Sequence, residues 1–408
     1  MHVTYLYGVG EDKENFPHFD VRLSEKVEFL AYLNLEVACT LFDSERTVDA
    51  VPYFEKGASL LEYNHAASRE DYFSDFSLMI SGLAYYCASQ YSKSFIVISR
   101  GQYHTNFTEI IRFFLSKRFD LLENVIKESL LRNTEEEEWD NAFEILLARA
   151  MSLVICYFNY GNEEYLQKAQ IIISDAEELA GMGEDPSIWW EFRLLHIIFS
   201  QIDKSSLWGC LHNNPSFKID DGGLNEINKM HGITDIDSNK PAQDAVDKYI
   251  YSLSYKEKTI TELFRSQRTA LQKVLSNESS VVSMPTSSGK TRIAEMVMLQ
   301  ALLYQNTAKI LYIAPYRSLA FELEETFSTS FSILNIGVSH LYGGAQFTSL
   351  DRAEMLDSRI LIVTPEKAKA ILRSNDEIVS SIKLVVLDEG HLLGRNDREI
   401  AKEMFTEE

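Results

Sequence analysis

The sequence predicts a multi-domain chain, an all-α N-terminal region followed by an α/β domain built on a parallel sheet, and three observations predict it. Long apolar-periodic runs broken by polar segments fill residues 1–212, the pattern of amphipathic helices. Beyond them, short runs of Ile, Leu and Val alternate with helical patterns, as βαβ units do. Between the two, residues 213–245 turn polar, with Gly222-Gly223 and several Asp and Asn, and read as a linker. The domains are therefore an acidic α-helical domain at 1–212, a polar linker at 213–245 and an α/β domain at 246–408.

Within the first region, Ser68-Arg69-Glu70-Asp71 and Thr134-Glu135-Glu136-Glu137 have the spacing of capping boxes, each ahead of a long apolar-periodic run. Asp185-Pro186 opens a further helix with Pro at its first position. Gly161-Asn162 separates the run from Ala142 to Tyr160 from the run Glu163 to Leu179, which predicts an αα-hairpin. No repeat of fixed period runs through the region. Trp189, Trp190 and Trp208 read as core residues, as do Cys39, Cys87, Cys156 and Cys210, whose wide spacing suggests neither a disulfide framework nor a zinc site.

The formal charge of −22 is unevenly distributed. Residues 1–240 hold 20 Lys and Arg against 39 Asp and Glu, a charge of −19, whereas residues 241–408 hold 19 against 22, a charge of −3. So acidic a surface repels phosphodiester backbones, which removes the front half as a nucleic-acid surface. Two readings stay open for it: a protein-binding or autoinhibitory element, or charge that only maintains solubility. There is no stretch of eighteen consecutive apolar residues, and Met1-His2-Val3-Thr4-Tyr5 lacks the features of a signal peptide. No membrane association and a cytoplasmic location are expected.

The α/β domain opens on its most specific feature, Met284-Pro285-Thr286-Ser287-Ser288-Gly289-Lys290-Thr291. A glycine-rich turn between strand and helix points backbone N–H groups into a nest for phosphate oxygens, Lys290 adds a charge for them, and the Thr291 hydroxyl can ligate Mg²⁺. Thr286, Ser287, Ser288 and Gly289 complete the nucleotide-binding loop. Ser280 to Ser283 is expected to be the strand before it, and Arg292 to Tyr304 the helix after it. Met284 departs from the usual pattern, which begins with Gly or Ala.

Lys309 to Ala314 and Arg359 to Val363 follow as short strands, so Pro315 and Thr364-Pro365 begin loops at strand ends. Those loops can present Arg317, Thr364 and backbone amides to a phosphodiester chain, and Gly343 and Gly344 would allow close backbone approach. The apolar run from Lys383 to Leu387 reads as a central parallel strand that delivers Asp388 and Glu389 to the carboxyl edge, where open α/β sheets bind ligands. Asp388 is the candidate Mg²⁺ partner, and Glu389 the candidate base that activates water. ATP and Mg²⁺ are the ligands expected.

In order along the chain, these motifs resemble the superfamily 2 DExH-box helicases, and in detail their Ski-type branch. Asp388-Glu389-Gly390-His391 is similar to the DExH box, Ala314 to Glu322 to motif Ia, Tyr342-Gly343-Gly344 to the glycine pair that contacts the strand backbone, and Thr364 to Lys367 to motif Ib. Gln267 falls at the place of the motif that reads adenine, although a solvent-facing helical Gln is an equal alternative. His391 is either a surface histidine or, beside Asp388-Glu389, a coupling residue between nucleotide state and domain interface. The layout of helical extension and helicase also resembles bacterial antiphage-defence helicases of the Hachiman type.

The resemblance implies a P-loop (RecA-like) domain that acts on a DNA or RNA single strand, incomplete at its C-terminus. Motif III, a second RecA-like domain and the arginine fingers of motif VI would lie beyond Glu408, in a C-terminal helicase half supplied in cis or in trans. The resemblance also puts the motif III strand between the phosphate-loop strand and the DExH strand, so a gap in the sheet is expected there. The reading is the N-terminal part of an ATP-dependent helicase or translocase, expected to be inactive as this chain alone. The alternative is a regulatory partner-binding protein whose helicase domain binds nucleotide but is catalytically incomplete.

Overall fold

The computed structural model describes residues 21–67, 75–131, 139–183, 185–212, 214–217, 240–254, 260–275, 278–285, 288–304, 307–341, 346–374 and 377–390. The chain divides into two compact units, 1–204 and 205–408.

The first unit is helical: α1 (Val21–Asp43), α2 (Thr47–Ala67), α3 (Asp75–Cys87), α4 (Tyr91–Ile98), α5 (Asn106–Leu115), α6 (Phe119–Leu131), α7 (Trp139–Tyr160), α8 (Glu163–Gly181) and α9 (Pro186–Ser205). Helices adjacent in sequence pack together, α1 on α2 and α7 on α8 among them. Helix α3 is buried from Ser77 through Cys87, with Ser81 Oγ donating to the Ala58 carbonyl at 2.8 Å and the Tyr85 hydroxyl to Glu62 at 3.1 Å.

The turns follow the sequence chemistry. Gly161 adopts φ +69° between α7 and α8, and the Asn162 side chain then accepts from the Glu164 N–H at 2.9 Å. Pro186 starts α9 while Asp185 accepts from the Ser187 N–H at 2.8 Å. The boxes expected at 68–71 and 134–137 lie outside the described residues, and a box the sequence did not reveal, Thr105 with Thr108, caps α5. Residues 142–160 are long and apolar enough to cross a membrane by composition alone, yet Leu147, Met151, Val154 and Tyr157 are buried within the helical unit. Trp190 and Trp208 are buried, Trp189 is half-buried, and Cys39 and Cys87 are buried free thiols.

The second unit contains α10 (Lys240–Ser254), α11 (Arg265–Val274), α12 (Lys290–Tyr304), β1 (Lys309–Ile313), α13 (Arg317–Phe331), β2 (Val338–His340), α14 (Ser349–Asp357), β3 (Ile360–Val363), α15 (Pro365–Arg373) and β4 (Ile382–Leu387). Of the stretch 213–245, residues 214–217 and 240–245 are described, the latter forming the start of α10. The strands form one all-parallel sheet in the order β2-β3-β1-β4. Strands β1 and β3 are buried almost throughout, and Leu311, Ile313, Leu361 and Val363 pack with Met355 and Ile371 into one cluster.

Two strand expectations are corrected. Residues 280–283 pair with no strand among the described residues, and Val281 is 98% exposed. Strand β4 is not central but an edge strand of the described sheet, its residues alternating between half-buried and exposed, with Val385 48% exposed. The physical reason is shared: an apolar segment becomes a buried strand only when ladder partners cover it. Among the described residues β4 pairs with β1 alone, and no strand lies on its other edge.

In the helical unit, burial pushes the Glu191 carboxyl up to about 8, with Asp185 adding a smaller push, and its side chain lies in the core of α9 at 5% exposed. Between its ordinary carboxylate value and about 8 the folded state keeps a proton that the unfolded chain has lost, so this group makes stability fall as pH rises through that window. Glu191→Gln should remove that slope, raising the thermal midpoint at pH 8 by about 2–4 °C while leaving it almost unchanged at pH 5. Melting curves at the two pH values measure it, and equal shifts at both would contradict the assignment.

Candidate nucleotide site

Parallel strands place their carboxyl ends on one edge, and the site is assembled there. The ladder between β1 and β4 runs on past the strand, the Asp388 N–H donating to the Ile313 carbonyl at 3.0 Å. Tyr312, one residue earlier on β1, donates its hydroxyl to Asp388 Oδ2 at 2.9 Å. The other oxygen, Oδ1, accepts from the Glu389 N–H at 2.8 Å. Glu389 has φ +51°, a conformation that costs a non-glycine residue about 1 kcal/mol or more and turns its side chain out of the line of β4. Its Oε1 lies 4.0 Å from Lys290 Nζ, with both side chains about one-third exposed. The candidate base and the candidate phosphate-binding cation, about a hundred residues apart in sequence, therefore meet.

The loop before α12 is held by contacts that the motif alone does not specify. Gly289 adopts φ +78°, and a Cβ there would run into Gln267 Nε2. That nitrogen donates to the Gly289 carbonyl at 3.3 Å, while Gln267 Oε1 accepts from the Phe264 N–H at 2.9 Å. The solvent-facing alternative for Gln267 is thus corrected: the residue is buried, because both ends of its amide are taken up by backbone groups. Ser288 turns its hydroxyl back to the Pro285 carbonyl at 2.5 Å. Lys290 and Thr291 occupy the first turn of α12.

Two further residues escaped the sequence reading. Glu295 on α12 is fully buried, accepts from Tyr249 of α10 at 2.9 Å and pairs with Arg292, so that Arg292, next to Thr291, is tied along its own helix. Burial raises the Glu295 carboxyl above its ordinary value. Tyr312 is the second, its hydroxyl raised well above the usual range by burial and then by Asp388. A Tyr in an Ile-Leu-Tyr-Ile strand carries no signal that distinguishes it from core packing.

The candidate strand-contact residues that follow β1 and β3 lie on the same carboxyl edge. Pro315 and Arg317 follow β1, with Arg317 exposed at the start of α13. Thr364 follows β3 as the residue before α15, and Pro365, buried, is its first residue. Lys367 is buried and bonds Asp351 at 2.7 Å and the Gln346 carbonyl at 2.9 Å, so it serves packing. Thr286, Ser287, Gly343, Gly344 and His391 lie outside the described residues.

The side chains fit a magnesium nucleotide. Thr291 and Asp388 offer the oxygen donors that Mg²⁺ prefers. Lys290 and the first-turn amides of α12 suit phosphate, and Gly289 supplies the left-handed, side-chain-free backbone needed for close approach. No group of three or more metal-ligating His, Cys, Asp or Glu side chains occurs among the described residues, so nothing there competes for this role.

Residues 264–407 match the family described as DEAD/DEAH box helicase. Hachiman protein HamB of Bacillus cereus is 37% identical over 409 aligned positions, which cover 99% of this chain and 34% of that protein. The ATP-dependent DNA helicase Hel308 of Thermococcus kodakarensis is 36% identical over 37% of this chain and 13% of its own length. The RQC trigger complex helicase SLH1 of Saccharomyces cerevisiae is 32% identical over 29% of this chain and 7% of its own. The chain thus spans about a third of the Hachiman protein and less of the other two.

Gly289→Ala should destabilise the loop by about 1–2 kcal/mol through its left-handed backbone and abolish measurable nucleotide binding. Gln267→Ala alone should also lower the melting temperature, because it leaves the Phe264 N–H and the Gly289 carbonyl without their partner, but in the double variant the clash is gone and the two losses should be less than additive. Calorimetric melting of the wild type, both single variants and the double variant reads this directly, and strictly additive losses would contradict the contact.

Proposed function

We propose, because residues 264–407 match the DEAD/DEAH box helicase family and are similar to helicases such as Hel308, that this chain is the nucleotide-binding part of an ATP-dependent motor that moves on or unwinds a single strand of DNA or RNA. The observation that carries this reading is the meeting of Lys290 with Glu389 beside a fixed Asp388. Lys290 and the start of α12 hold the β- and γ-phosphates of ATP, and Thr291 with Asp388 holds Mg²⁺. An ion held by these residues would supply positive charge against the phosphates. Glu389 accepts the proton of the attacking water; until phosphate binds, its contact with Lys290 keeps both charges compensated at 4.0 Å.

Arg317, Pro315, Thr364 and Pro365 sit where loops leave the carboxyl ends of β1 and β3, and we assign them to the phosphodiester chain. Contacts to phosphate of this kind carry affinity without base identity. From the similarity to Hachiman protein HamB over nearly the whole chain we propose a role in antiviral defence, and from the sequence alone a cytoplasmic location with the acidic helical region as the surface for a protein partner.

Lys290→Ala should weaken Mg²⁺-nucleotide binding by about one to two orders of magnitude, the value of a charged hydrogen bond. Glu389→Gln should leave that affinity within about threefold and lower hydrolysis by the full-length protein by about two to four orders of magnitude. Isothermal titration and phosphate release separate the two roles. Unchanged affinity in Lys290→Ala would sink the nucleotide site, and equal losses of binding and turnover in Glu389→Gln would remove its role as base.

A further inference from the structure

We infer that Tyr312 is a positioning residue for the metal site, fixing the Asp388 carboxylate in the orientation that presents it to Mg²⁺. The inference rests on the nucleotide-site reading above. Asp388 is held at two levels: its backbone N–H by the Ile313 carbonyl, and its side chain by the Tyr312 hydroxyl at 2.9 Å and the Glu389 N–H at 2.8 Å. Each carboxylate oxygen has two acceptor positions, so one bond to each leaves a further position on both for the ion or its water. What the two bonds remove is rotation of the carboxylate about its terminal torsion.

The donor is itself immobile. Tyr312 is 2% exposed, its ring meets Phe327 of α13 edge-on at 5.2 Å and 63°, and β1 pairs with strands on both sides. The contact also has direction: Phe327 belongs to the helix that begins at the strand-contact residue Arg317, so Tyr312 touches that helix with its ring and the metal carboxylate with its hydroxyl. Partners of this kind, one bond removed from a metal ion, typically change metal affinity about 10- to 100-fold when deleted.

The test is a Mg²⁺ titration of fluorescent ADP binding to the full chain, with nucleotide binding in EDTA as the control. Tyr312→Phe keeps the ring and deletes the hydroxyl; the Mg²⁺ midpoint should rise about tenfold while affinity in EDTA stays the same. Phe327→Leu loosens the ring and keeps the hydroxyl, and should move the midpoint the same way by a smaller factor, about two- to threefold. If Tyr312→Phe does not fold, Phe327→Leu alone decides. A wild-type protein with Mg²⁺-dependent binding and variants with an unchanged midpoint overturn the role of Tyr312. A wild-type protein that binds no nucleotide, or binds it without regard to Mg²⁺, overturns the nucleotide site itself.

Discussion

The parallel pairing of β1 with β4 is the constraint from which the rest of the site follows. It sets the end of β4 level with Ile313, so the chain leaves the sheet with Asp388 still bonded to β1 and Glu389 turning back toward Lys290. The register matters because side chains alternate along a strand: a shift of one residue would carry Tyr312 away from Asp388 and onto the opposite face. The parallel pairing of β1 with β3 likewise brings the loops after those strands onto the edge where the carboxylates lie. Strand β1, shared by both ladders, therefore organises the nucleotide residues and the candidate strand contacts together.

A second, smaller constraint acts on the loop. Gly289 must be glycine for two reasons, its left-handed backbone and the amide of Gln267 packed against it. Gln267 in turn is fixed by Phe264, so the phosphate loop is braced from α11, while Glu295 and Tyr249 brace α12 from α10. The phosphate-binding end of α12 is thus anchored by buried polar contacts to two helices that precede it in sequence. Such contacts tolerate substitution poorly, because a buried group left unpaired costs about 1–3 kcal/mol.

Much of this was legible in the sequence, for identifiable reasons. Helices α7, α8 and α9 announced themselves through Gly161, Asn162 and Asp185-Pro186, which act locally. Strands β1 and β3 were readable because continuous apolar runs have one stable home in a parallel sheet. The segment 280–283 misled because strand formation depends on a neighbour and not on Val281 and Val282 themselves. Lys290, Asp388 and Glu389 stood out through motif spacing, whereas Tyr312, Glu295 and Tyr249 did not. Their roles arise from distances across the fold, and in the chain they look like ordinary core residues.

We propose that one Mg²⁺-nucleotide site joins the start of α12 to the end of β4. The measurement that decides it is a crystal structure of the protein with Mn²⁺ and a non-hydrolysable ATP analogue, with the ion located by anomalous scattering. A manganese peak is expected within ligand distance of the Thr291 hydroxyl and the Asp388 carboxylate, directly or through water, with Lys290 Nζ moved from Glu389 onto the phosphates. A nucleotide bound elsewhere, or bound here with the Lys290 and Glu389 contact intact and no metal beside Asp388, would contradict it.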